Sequence, residues 1–225
     1  VGKLALIHAS RASVDPVTRY YSHNAPELEL TNLLDDGVMR LLRSGEMAKA
    51  KTRLADMLSV ARGAYGAELA LLTCSAVPAS ELEELKHTAG IRAIKIDEPM
   101  CKDAVAAGSR IGLITSFPPT SATTRELLLQ AASRAGKSID IVEEQTPEAL
   151  NALLAGDQAA HDSLLLAAAD RLARRRPDNI VLAQVSMAGL APRLTVRLGL
   201  PILSSLASSL DAVRAMLSAR SAPRD

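Results

Sequence analysis

Two short stretches end in residues that could do chemistry. Glu68-Leu69-Ala70-Leu71-Leu72-Thr73-Cys74-Ser75 closes on a thiol flanked by hydroxyls. About 110 residues on, Asp178-Asn179-Ile180-Val181-Leu182-Ala183-Gln184 repeats an acid, an apolar run and a polar tip, with Gln184 where the first stretch has Cys74. A thiolate is a competent base or nucleophile, whereas an amide has no useful pKa and only donates or accepts hydrogen bonds. The thiol therefore has candidate catalytic status and the amide candidate substrate contact.

Each apolar run reads as a buried parallel strand that delivers its last residue to a loop, where open α/β sheets bind ligands. A loop leading into a helix N-terminus favours a thiolate, and Thr73 and Ser75 offer hydroxyls beside Cys74. Free cysteine is also among the most buried residue types, so core packing is the competing reading. Cys101, in the first turn after Pro99, is read as structural.

Other candidates lie at strand ends. Lys3-Leu-Ala-Leu-Ile-His8-Ala-Ser10 is a first strand that presents Ser10 for ligand contact and His8 as a possible second acid or base; a hydrogen-bonded buried histidine is the alternative for His8. The segment from Arg110 through Thr115, Ser116, Pro118, Pro119, Thr120, Ser121 and Thr123 follows another strand and opens a helix. Its hydroxyls and amides suit a carboxylate, with Thr115, Ser116 and Thr120 as contacts, or they simply cap the helix. Ser186, just past Gln184, joins the substrate-contact set.

The elements that must position these residues alternate strand and helix. Strands are expected at 3–10, 28–33, 68–74, 91–96, 110–116, 139–142, 178–184 and 201–203. An Asp15-Pro16 turn leads to a short helix, and a helix covers about 45–62. Ser80 with Glu83 forms a capping-box pattern for a helix to Lys86. Further helices are expected from Pro99 to Gly108, at Thr124–Ala135, from Pro147 to Arg176, at Gly189–Leu198 and from Ser209. The alternation implies right-handed parallel crossovers and an α/β fold. Lys3–Ala9 and Arg110–Ser116 resemble each other at nearly the offset of the two tips, which argues for internal duplication.

The expected architecture is two pseudo-symmetric doubly wound parallel-sheet lobes with the active site in the cleft between them. Residues 1–98 plus 204–225 form the first lobe with Cys74, and residues 99–203 form the second with Gln184. At 225 residues each lobe is small for an independent core.

Composition narrows the partners. Net charge is +1 with mixed signs, and there are three Tyr, one Phe and no Trp, so neither a basic face nor a stacking platform for nucleic acid is expected. No apolar segment reaches the roughly 18 residues of a membrane span, and with the first strand opening at Lys3 a soluble chain is expected. Two cysteines without metal-like spacing suit a reducing cytoplasm. No metal cluster, dinucleotide fingerprint or phosphate loop is present, so no cofactor is expected. A homo-oligomer is expected through apolar helices such as Thr124–Ala135.

The Leu-Leu-Thr-Cys-Ser tip, the duplicated strand ending at Gln184, and Asp97-Glu98-Pro99-Met100 through Ile111-Gly112-Leu113-Ile114-Thr115 resemble the aspartate/glutamate/hydantoin racemase superfamily over essentially the whole chain. That resemblance implies two cysteines facing each other across a small carboxylate-bearing substrate, one removing the α-proton and the other returning it. Cys74 matches the first-lobe cysteine, and Gln184 stands at the second. A cofactor-independent racemase or isomerase with Cys74 as base or nucleophile is the first expectation. Alternatives are a decarboxylase of a malonate-like acid, which needs one proton donor and in arylmalonate decarboxylases keeps its cysteine in the opposite lobe, and an isomerase of the maleate type with a nucleophilic cysteine. Outside that chemistry stand a Cys74–His8 hydrolase and a non-catalytic acid-binding protein.

Overall fold

A computed structural model describes residues 2–219. The chain forms two compact units, one from the residues up to Ile96 together with those from Leu206 onward, the other Asp97–Ser205.

In the first unit, strands β1 (Lys3–His8), β2 (Glu29–Leu34), β3 (Leu69–Leu72) and β4 (Arg92–Lys95) form a parallel sheet in the order β2-β1-β3-β4. Central β1 and β3 are buried along almost their whole length, as apolar strands covered on both faces must be. Helices α1 (Arg11–Asn24), α2 (Asp36–Arg43), α3 (Met47–Gly63) and α4 (Ala79–Ala89) provide the crossovers. In the second unit the chain runs through α5 (Glu98–Ala107), β5 (Arg110–Thr115), α6 (Pro118–Arg134), β6 (Asp140–Gln145), α7 (Pro147–Leu154), α8 (Gln158–Ala173) and β7 (Asn179–Leu182). A 3-10 helix (Val185–Leu190), α9 (Ala191–Leu198) and β8 (Ile202–Ser204) complete it. Its parallel sheet has the order β6-β5-β7-β8, the same winding as the first. The final helix, α10 (Ser205–Ser218), carries the chain back to the first unit, where Ser209 accepts the Tyr21 hydroxyl at 2.9 Å. Among the described residues, no helix is long and apolar enough to cross a membrane.

The duplication reaches the hydrogen bonds. Beyond β3, the Thr73 N–H donates to Ile7 O at 3.0 Å; beyond β7, the Ala183 N–H donates to Ile114 O at 3.1 Å. Each central pair is thus extended by one residue, and Cys74 and Gln184 are both the first residue past the ladder.

Several local expectations are corrected. The Asp15-Pro16 pair lies inside α1, which starts at Arg11 with Ser10 as its cap. Proline that far forward removes one backbone bond, while Val17 and Tyr21 gain a buried face. Ser80 does not cap α4: Pro78 is the N-cap residue, and the helix runs on to Ala89 before Gly90 turns left-handed at φ 62°. Helix α6 begins at Pro118, so Thr120, Ser121 and Thr123 lie within it and its N-cap residue is Phe117, which makes no side-chain capping bond. The long helix expected between Pro147 and Arg176 is broken at Gly156, φ 82°.

The second sheet also shows how tightly helices approach it. A Cβ on Gly112 of β5 would lie 2.9 Å from both Leu172 Cδ2 of α8 and Ile180 Cγ1 of β7. Gly112→Ala is expected to lower stability by about 1–3 kcal/mol through overpacking, read as a lower urea midpoint at unchanged m-value. An unchanged midpoint would show that α8 can slide outward freely.

Candidate active site

At the tip of the first sheet, Leu72 pairs with Ile7 on one side and Lys95 on the other, and the chain leaves the ladder at Cys74. Cys74 is 6% exposed, with buried Thr73 and Ser75 on either side. The Val77 N–H reaches Cys74 O at 3.5 Å, making Cys74–Val77 a tight turn before α4.

The residue before the thiol is tied to a buried polar network. His8 lies fully buried at the end of β1; its Nε2 is 3.0 Å from Asn32 Oδ1, and its Nδ1 is 3.0 Å from both Thr73 Oγ1 and Ser13 Oγ. Asn32 Oδ1 also accepts from the Thr18 hydroxyl at 2.9 Å, and the Ser13 hydroxyl donates to Ser10 O at 2.9 Å. Because Asn32 presents an acceptor, Nε2 carries the proton and Nδ1 is left as an acceptor facing the Thr73 and Ser13 hydroxyls. Burial pushes the imidazole pKa down, against the Asn32 hydrogen bond that raises it. The ring is a neutral brace for Thr73. Ser10, expected at the ligand, is half-buried and spends its hydroxyl on the α1 cap, accepting the Ala12 N–H at 3.3 Å.

The residue after the thiol is held from the opposite side. Lys95, fully buried at the end of β4, donates from Nζ to Ser75 O at 3.2 Å and to Val77 O. Lysine within Ala93-Ile94-Lys95-Ile96 is the sequence signal for this contact, because an inward ammonium in an apolar strand must find acceptors. Neither Lys95 nor the Ser13 and Asn32 partners of His8 were among the sequence candidates. Glu98, in the segment that carries the family resemblance, pairs with Lys102 at 3.0 Å and lies 3.8 Å from Arg134.

At the tip of the second sheet, Gln184 is half-buried and turned onto Ser116. Its Oε1 accepts the Ser116 N–H at 2.8 Å and lies 3.2 Å from Ser116 Oγ, while its Nε2 donates to that hydroxyl at 2.9 Å. This amide therefore clasps the ends of β5 and β7. Thr115 is buried, its hydroxyl donating to Glu143 Oε1 at 3.0 Å, and Arg125 lies 3.7 Å from the other Glu143 oxygen. Thr120 is buried in the first turn of α6, and Ser186 is half-buried in the 3-10 helix. Of the first three α6 positions, only Thr120 has an N–H, since Pro118 and Pro119 lack one. The helix start is poorer in anion-binding amides than its hydroxyl content implies.

The structure thus gathers Thr73, Cys74 and Ser75 with His8 and Ser10 nearby in the first unit, and Thr115, Ser116 and Gln184 in the second. Each tip is tied down by partners distant in sequence, Thr73 and Ser75 on either side of Cys74 in one unit and Gln184 in the other.

Comparison with known proteins follows the same architecture. A family model described as Asp/Glu/Hydantoin racemase matches residues 12–213. A glutamate racemase from Bacillus anthracis superposes with a TM-score of 0.76 at 14% identity, covering 97% of this chain and 82% of that one. An allantoin racemase from Pseudomonas fluorescens gives 0.68 at 13% identity, covering 97% and 92%. An arylmalonate decarboxylase gives 0.61 at 18% identity, covering 94% and 91%. At these identities the likeness is one of fold. No curated protein sequence matches the chain.

Proposed function

We propose, from the premise that this chain belongs to the Asp/Glu/hydantoin racemase family, that it is a cofactor-independent enzyme acting on a small acid at the carbon next to its carboxylate. Cys74 is the reacting group. The observation that carries this reading is a thiol placed first past the buried central strand and braced on both flanks, through Thr73 by His8 and through Ser75 by Lys95. Placement of a reacting atom by rigid elements is what proton transfer requires.

In the racemase or isomerase reading, the Cys74 thiolate takes the α-proton. The carbon–hydrogen electron pair stays on the substrate, delocalised into the carboxyl group, and the thiol is formed. Returning a proton to the other face requires a second acid. Gln184 has no titratable proton and its amide is engaged with Ser116, so that acid is not supplied at the position matching Cys74.

That same observation supports decarboxylation as a second reading. There, carbon dioxide leaves with cleavage of a carbon–carbon bond, the electron pair is delocalised into the remaining carboxyl group, and the Cys74 thiol delivers the one proton needed. Solvent then reprotonates the thiolate. A Cys74–His8 hydrolase is disfavoured, because both His8 nitrogens are already hydrogen-bonded to Asn32 and to Thr73 and Ser13.

The test is proton NMR of amino acids, hydantoins, malonates and maleate incubated with the protein in deuterium oxide. Loss of an α-proton signal without carbon dioxide release supports the racemase or isomerase reading. Deuterium gain with carbon dioxide release selects the decarboxylase. Binding of a panel acid with no exchange and no turnover would replace both with a non-catalytic acid-binding protein.

A further inference from the structure

We infer that Lys95 is a positioning residue for Cys74, fixing the Ser75–Val77 turn and favouring the thiolate, an inference that rests on Cys74 being the reacting thiol. Lys95 is fully buried between Ile94 and Ile96, where an aliphatic side chain would fill the space without desolvating a charge. Its ammonium points at two carbonyls of one turn, Ser75 O and Val77 O. Those contacts place a cation beside the residue that follows the thiol.

Peptide geometry gives the ammonium a second effect. The described peptides are all trans, so the Ala76 N–H is antiparallel to the Ser75 carbonyl. Drawing that carbonyl toward Lys95 turns the Ala76 N–H away from it, leaving a fixed donor in the turn that carries Cys74. Such a preset donor is suited to charge developing on a carboxyl oxygen.

The duplicated unit provides an internal control. In the first sheet Leu72 pairs with Lys95; in the second, Leu182 pairs with Ser204. The buried cation is present on the copy whose tip is Cys74, and a small hydroxyl residue stands at that position on the copy whose tip is Gln184. A lysine needed only to complete this kind of sheet would not discriminate between them. Other buried titratable groups at this end of the first sheet are His8, whose pKa burial lowers against the Asn32 hydrogen bond, and Asp97, which follows β4.

The test is the pH dependence of Cys74 alkylation by iodoacetamide, resolved by peptide mass spectrometry, in the wild type, Lys95→Met and Lys95→Gln. Both variants are expected to raise the apparent midpoint by about one unit, which slows alkylation roughly tenfold at a pH below it. If Lys95→Met does not fold, Lys95→Gln, which still donates to the turn carbonyls, decides the matter through the same shift. A wild-type midpoint in the folded variants would overturn the inference and make Lys95 a packing residue. Alkylation requires no substrate, so this outcome leaves deuterium exchange by Cys74 standing. A normal Lys95 effect with no exchange on any substrate would instead count against the catalytic reading.

Discussion

Cys74→Ala is expected to eliminate substrate deuteration, with a rate loss of at least about 10²–10⁴-fold, the usual contribution of a positioned acid or base. Cys74→Ser should be similarly inactive, because a hydroxyl at the same site does not ionise in the range where a thiol does. Neither change should unfold the protein: Cys74 sits beyond the strand ladder, and the bonds from Thr73 to Ile7 and from Lys95 to Ser75 and Val77 use other residues. The assay is the α-proton signal in deuterium oxide alongside a urea curve for each variant. Exchange surviving in a folded Cys74→Ala protein would remove the thiol from the mechanism.

The largest expected stability effect belongs to His8. His8→Ala empties a fully buried site and removes the partner shared by Asn32, Thr73 and Ser13, at a cost of about 2–4 kcal/mol. The native imidazole also predicts a pH dependence. Its folded pKa lies below the ordinary 6.5, so as pH falls below that value the unfolded chain takes up the proton first. The stability His8 contributes is complete above about pH 6.5 and is lost as pH falls through the folded value, with a slope of at most about 1.4 kcal/mol per pH unit. Urea midpoints measured from pH 8 to pH 5 should decline in the wild type and lose that His8 component in His8→Ala. Equal pH slopes in the two proteins would show that the ring is not held neutral.

Some features were legible because they are local. Leu4–Ile7, Leu69–Leu72, Ile111–Ile114 and Ile180–Leu182 are apolar runs too short and too continuous for amphipathic helices, and their burial on both faces follows. The family resemblance was also legible, since the Leu-Leu-Thr-Cys-Ser tip and its amide counterpart recur at nearly one offset. Helix starts were less so. Ser80 and Thr124 looked like boundaries, but α4 starts one residue earlier at Ala79, with the half-buried Pro78 as its N-cap residue, and α6 starts six residues earlier at Pro118. The buried hydroxyl residues Thr120, Ser121 and Thr123 lie in the added first turns of α6, with Thr123 bonding back to Pro119 O and Thr120 O.

The sequence by itself determined that a lone thiol and an amide end two equivalent strands of a duplicated α/β chain, because apolar runs must be buried and their polar ends cannot follow them into the core. Only the tertiary structure decided which side chains at those ends hold the backbone. His8 meets Thr73, Lys95 meets Ser75, and Ser116 meets Gln184 across parallel-strand register, between residues far apart in the chain. A buried polar group takes whichever partner that register brings within hydrogen-bond reach, and no local pattern encodes the choice.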